Sequence, residues 1–98
     1  MKIKQLPSKP KRKKVNFYIE AANATEVALT GTFNNWNPAK HPMKKDRNGI
    51  WNKTLMLPVG QYEYKFLIDG EWKQDPLNDQ TYLNSFGTLN NVINLLTR

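Results

Sequence analysis

The chain contains no cysteine, which excludes a disulfide framework and any metal site built on thiolates. It has a single histidine, His41, and no run of alternating acidic ligands, so nothing in it reads as a metal or cofactor site. No apolar stretch approaches the roughly 18–20 residues that a membrane-spanning helix needs. The N-terminus is basic but lacks the apolar segment of a secretory signal. Together these absences set the expectation of a cytoplasmic, reducing setting. At 98 residues the chain has room for one domain with a single core and too little for a catalytic barrel.

What is present begins with charge. The formal net charge is +7, and its location matters more than its size. Lys2, Lys4, Lys9, Lys11, Arg12, Lys13 and Lys14 all precede the first acid, Glu20, while residues 15–98 balance. Residues 1–14 also hold two prolines and a serine, a composition that cannot bury enough surface to order itself. They read as a basic flexible leader ahead of a domain at 15–98. Such a leader either makes an electrostatic contact with nucleic acid or anionic lipid, or only keeps the protein soluble. No aromatic interleaves with its lysines, which argues against base stacking and a nucleic-acid partner.

The domain itself reads as strands. Val15-Asn16-Phe17-Tyr18-Ile19 alternates, with Val15, Phe17 and Ile19 inward. Val27 to Thr30 follows, then Gly31, where a missing side chain suits a close backbone approach. Ile50 to Leu57 places Trp51, Leu55 and Leu57 on one parity; Lys53 shares it and must lie near an edge or snorkel. Gln61 to Asp69 is the clearest strand, with Tyr62, Tyr64, Phe66 and Ile68 on one face and Glu63, Lys65 and Leu67 on the other. Asp69-Gly70 is a two-residue hairpin signal that returns Trp72 beside it. Residues 39–49 and 75–87 read as polar loops, and Asn91 to Leu96 closes the domain. Six or seven short strands without a helical period make an antiparallel β-sandwich.

Catalysis finds little support. His41 precedes a proline in a polar loop, with no nucleophile marked out beside it, and reads as solvated. Glu63, Asp69, Glu71 and Asp75 lie close in sequence, but a glycosidase pair needs one acid in a desolvated cleft. A hairpin rim leaves water on most sides. The chain has polar turns bearing aromatics instead. Thr30-Gly31-Thr32-Phe33-Asn34-Asn35-Trp36-Asn37-Pro38 ends a strand in a tight turn, with Asn34-Asn35 tolerant of left-handed backbone. Trp36 there is either a lid over the sandwich edge or a flat platform. Trp72 sits next to another turn, and Phe86 lies in the last loop. Sugar C–H faces stack on such rings, while Lys65 and Asn90 can hydrogen-bond hydroxyls.

These motifs carry a family resemblance. Val15-x-Phe17-x-Ile19-x-Ala21-x-Asn23-Ala24 and Val27-x-Leu29-x-Gly31-x-Phe33-Asn34-Asn35-Trp36 look like the start of the family-48 carbohydrate-binding modules. Those include the glycogen-binding domain of the AMP-activated protein kinase β subunit. They also include the early-set domains ahead of the branching and debranching enzymes of glycoside hydrolase family 13. The likeness continues through Gly49-x-Trp51, Leu57-Pro58-x-Gly60-x-Tyr62-x-Tyr64-Lys65-Phe66-x-Ile68-Asp69-Gly70-x-Trp72, Asp75-Pro76 and Gly87-Thr88-Leu89-Asn90-Asn91-Val92.

The resemblance implies an all-β, immunoglobulin-like early-set antiparallel sandwich that binds glycogen, starch or maltooligosaccharides without cleaving them. By position it implies that Trp36 and Trp72 stack on sugar, Lys65 and Asn90 bond hydroxyls, and Thr88 supports the last loop. Phe86 stands where kinase β subunits are similar but carry leucine. Ala22 replaces a proline common in the enzyme-attached relatives. No barrel or kinase-joining extension follows the sandwich, so the expectation is a free-standing module, or one acting through its leader. Its partners would be an α-glucan and an α-glucan-metabolising enzyme or kinase. The alternative is a structural brace with little sugar binding of its own.

Overall fold

The computed structural model describes residues 12–96. The strands follow from the alternation and the turns. They are β1 (Arg12–Glu20), β2 (Val27–Gly31), β3 (Lys44–Lys45), β4 (Ile50–Pro58), β5 (Gly60–Ile68), β6 (Glu71–Lys73), β7 (Thr81–Leu83) and β8 (Leu89–Leu95). All pair antiparallel: β1-β4-β3 form one sheet, and β2-β5-β8-β7, with β6 also on β5, form the other. The two pack face to face as the expected β-sandwich.

Four expectations shift. β1 begins at Arg12, so Arg12, Lys13 and Lys14 of the expected leader pair with Pro58, Leu57 and Met56; residues 1–11 lie outside the described residues. β3 and β7 arise inside segments that read as loops, because two or three residues are too few to show a period. His41 is half-buried and hydrogen-bonded rather than solvated. Lastly, the neutrality of the domain hides a separation of charge. Arg12, Lys13, Lys14, Lys44, Lys45, Arg47 and Lys53 belong to the three-stranded sheet and its turns, against Glu20 and Asp46. The larger sheet and its loops after residue 59 carry Glu63, Asp69, Glu71, Asp75 and Asp79 against Lys65 and Lys73.

The core lies between the sheets. Phe17, Ile19 and Trp51 from one side meet Val27, Leu29, Tyr64 and Phe66 from the other, with Met43 between. Complete burial of Leu29 and Phe66 contributes about 1.5–3 kcal/mol each. Met43 enters because the chain changes sheets around it. Residues 41–43 run along the free edge of β2, through Leu29 N–H to His41 O at 3.0 Å and Met43 N–H to Val27 O at 2.8 Å. Lys44 and Lys45 then pair with β4 in the opposite sheet. Trp51 donates its indole N–H to Ala21 O at 2.9 Å, which settles its one polar atom.

Two turns shape the outer face of the larger sheet. At the β5–β6 hairpin, Asp69 and Gly70 both take positive φ, 47° and 85°, as a type I′ turn requires. The Asp69 carboxylate accepts from Thr25 N–H and Glu26 N–H at 2.8–3.1 Å, tying the first connection to this hairpin. Asp69 is thus a strut and not a catalytic acid. At the end of β2, a Cβ on Gly31 would collide with the Glu63 carbonyl and, at 2.8 Å, with the Phe33 ring. The close approach read from the sequence is real.

Gly31→Ala is therefore expected to destabilise the domain by about 1–3 kcal/mol, read as a lower urea midpoint. A variant as stable as the parent would show that the Glu63 backbone yields freely. A second expectation concerns acid. His41 Nδ1 lies 2.8 Å from Asn34 Nδ2 and must accept there, so the ring is neutral. Burial first, then Lys53 and Lys40, hold its pKa below the ordinary 6.5. The unfolded chain then binds the proton more readily, so stability is full above that value and falls as pH drops through it. His41 is the sole histidine, and no other side chain ordinarily titrates there. The melting temperature should fall between about pH 7.5 and 5.5, and His41→Gln should flatten that slope. A slope unchanged in the variant would refute the coupling.

Candidate functional site

Trp36 is held by an unusual turn. A single 3-10 turn, Thr32–Asn34, leads into Asn35 and Trp36, which take left-handed φ values of 57° and 59°. The expected left-handed pair Asn34-Asn35 is shifted by one, so the strained position falls on the tryptophan. A bulky residue there is costly and persists only where its surroundings over-determine it. Buried Asn34 does that. Its Oδ1 accepts from Gly31 N–H at 3.0 Å, and its Nδ2 donates to Leu29 O at 3.0 Å and His41 Nδ1. Trp36 N–H closes on Gly31 O at 2.9 Å.

Trp72 comes from β6, opposite Leu67, and is 51% exposed. Its ring meets Trp36 edge to face, with centroids 6.4 Å apart and planes at 74°. The two tryptophans therefore form a corner rather than two separate platforms. Below it lies an open cleft of about 590 Å³, within the range of small-ligand sites. Trp36, Lys65, Trp72, Phe86, Thr88 and Asn90 all line it. The structure brings all six residues expected to contact sugar to one place.

Their contacts refine the roles. Lys65 is only 9% exposed, and its ammonium donates to Thr88 Oγ1 at 3.0 Å. Asn90, 6% exposed, donates through Nδ2 to Glu63 Oε1 at 2.9 Å. The next residue, Asn91, points inward and is fully buried, fixing the 75–78 segment through Asp75 N–H and Asn78 O. Phe86 is 89% exposed at the tip of the last loop. It is the most open ring in the site.

Three lining residues escaped the sequence reading: Glu63, Asn84 and Ser85. Glu63 sits two residues before Lys65 and so on its face, a spacing visible in the sequence, where it reads as a candidate catalytic acid and not as a hydroxyl acceptor. Its Oε2 has no protein partner among the described residues. Asn84 organises the loop. Its Oδ1 accepts from Phe86 N–H and Thr88 N–H at 2.9 and 3.0 Å, and its Nδ2 donates to Thr88 Oγ1 and Asn90 Oδ1 at 2.7 and 3.0 Å. The signal was Asn-x-x-Gly at 84–87, a turn signature. Of the other acids weighed, Asp75 accepts the Tyr64 hydroxyl at 2.7 Å. Burial first, with help from Asp75, raises that phenol well above its ordinary value. Among the described residues Glu63 is the one acid lining the cleft, so no carboxylate pair of theirs faces a ligand there. Among the described residues, no group of three His, Asp or Glu could hold a metal ion.

Sequence comparison finds relatives of this chain. The chain is 44% identical over 71 residues to protein PTST homolog 2, chloroplastic, of Arabidopsis thaliana, covering 72% of this chain and 13% of that one. It is 43% identical over 68 residues to the 5'-AMP-activated protein kinase subunit beta-1 of Sus scrofa, covering 69% of this chain and 52% of that one. The Homo sapiens beta-1 subunit is 41% identical over the same length, 24% of its own. The chain thus spans about half of these relatives or less. Residues 15–98 match the model described as the glycogen recognition site of AMP-activated protein kinase. That match runs across the turn and the loop that build the cleft, and the chain belongs to this family.

Proposed function

We propose that this domain holds glycogen, or a similar α-1,4-glucan such as starch or a maltooligosaccharide, without cleaving it. It would serve to bring an α-glucan-metabolising enzyme or kinase to the polymer. The observation that carries the reading is the convergence of Trp36, Trp72, Phe86, Lys65 and Asn90 on one open cleft. Glucose presents C–H faces ringed by hydroxyls. Burying such a face on a ring contributes roughly 1–3 kcal/mol. Two indoles at 74° suit successive sugars that turn relative to one another, as in a coiled α-1,4 chain. A flat β-1,4 ribbon would lie along one indole and miss the other.

The polar side of the cleft supports a neutral ligand. Lys65 offers a donor and Glu63 an acceptor at the same wall, so the site has no excess charge to attract a polyanion. Arg12, Lys13, Lys14, Lys44, Lys45, Arg47 and Lys53 belong instead to the other sheet and its turns. Binding here should involve no ion release and respond little to salt. A shallow site with few anchors gives roughly micromolar to millimolar affinity. A reducing, cytoplasmic location goes with the cysteine-free sequence and with an intracellular polymer as ligand.

Electrophoresis in native gels containing glycogen tests the reading. The protein should be retarded by glycogen at low and high salt, but not by cellulose or xylan. Trp36→Ala should weaken the effect roughly tenfold or more. Folded protein that glycogen does not retard would favour the brace role instead. Incubation with maltoheptaose should release no reducing sugar. Release that disappears in Glu63→Ala would make the cleft an active site.

A further inference from the structure

Building on the glucan reading, we propose that the binding surface continues past the cleft. Tyr82 on β7 forms a further subsite, occupied only by longer α-glucan chains. In the β7–β8 ladder Tyr82 stands directly opposite Asn90. Such partners project from the same face, with Cβ atoms about 5 Å apart. Asn90 walls the cleft, so Tyr82 stands one strand beyond that wall. The paired registers, Thr30 with Lys65 and Tyr64 with Asn91, extend this into a row across the sheet. Lys65, Asn90 and Tyr82 follow one another on its outer face. At ordinary strand spacing the row from Lys65 to Tyr82 spans about 10 Å.

The state of Tyr82 sets it apart from its neighbours. The Tyr62 hydroxyl is committed to Pro58 O, and that of Tyr64 to Asp75. Tyr82 is 55% exposed, and among the described residues its hydroxyl has no hydrogen-bond partner and its ring no aromatic one. It offers a flat face and an unused hydroxyl, the two features a sugar ring can engage. On its far side β7 pairs with no other described strand, so no described strand stands in the way of a chain leaving the cleft there. Leu83, opposite Leu89, points to the other face.

A short oligosaccharide filling the tryptophan corner and the Lys65–Asn90 wall would stop before Tyr82. A longer one would reach it. Affinity should therefore grow with chain length, and Tyr82 should carry part of the growth.

Calorimetric titration of the full chain with maltotriose and maltoheptaose, for the parent, Tyr82→Ala and Trp36→Ala, tests this. Tyr82→Ala should weaken maltoheptaose about fivefold and leave maltotriose within about twofold, with an unchanged melting temperature. Trp36→Ala should weaken both sugars. Maltoheptaose binding untouched by Tyr82→Ala, or both sugars weakened equally, overturns the subsite while leaving the cleft intact. A parent that binds neither sugar overturns the glucan reading and the subsite with it.

Discussion

The side chain of Asn34 is the constraint on which the binding face depends. One buried amide receives Gly31 N–H and gives its two protons to Leu29 O and His41 Nδ1. It thereby joins the end of β2, the turn after it and the segment that crosses to the other sheet. Each bond is individually modest, about 1 kcal/mol net. Losing the amide would leave buried partners unsatisfied, a heavier cost than the bonds' own worth. That surplus holds Trp36 at a backbone angle it would not choose alone.

The opposite wall of the cleft is built by the same logic in side chains. Asn84 binds the backbone of its own loop with one end and bridges Thr88 and Asn90 with the other. Thr88 receives Lys65, and Asn90 reaches Glu63. Long side chains such as Lys65 and Glu63 would otherwise spend rotamer freedom, up to about 2 kcal/mol each, when a ligand arrives. Here one hydrogen bond already holds each of them before binding, which offsets some of the weakness of a shallow site.

The parts legible in the sequence were those with a period or a forced turn. Val15–Ile19 and Tyr62–Ile68 showed alternation long enough to count, and Asp69-Gly70 and the Gly31–Pro38 stretch showed turn chemistry. Trp36, Trp72 and Phe86 stood out because large rings beside turns have nowhere inward to go. Lys44-Lys45 and Thr81–Leu83 could not be seen as strands, since their pairing partners lie in other parts of the chain. The role of His41 was hidden for a similar reason. Its local sequence is polar, and only the fold brings Asn34 and Phe33 against its ring. Asn84 carried a readable turn signal, yet its reach to Asn90 is a fact of three dimensions.

The corner made by Trp36 and Trp72 also has an optical consequence. Two indoles 6.4 Å apart and inclined at 74° are close enough for their electronic transitions to couple, and circular dichroism in the aromatic region is where such coupling would be read. The third indole, Trp51, is buried in the core with its N–H bonded to Ala21 O, and contributes a steady background. The cleft thus carries its own chromophore pair, sensitive to any change in the angle or spacing of its walls.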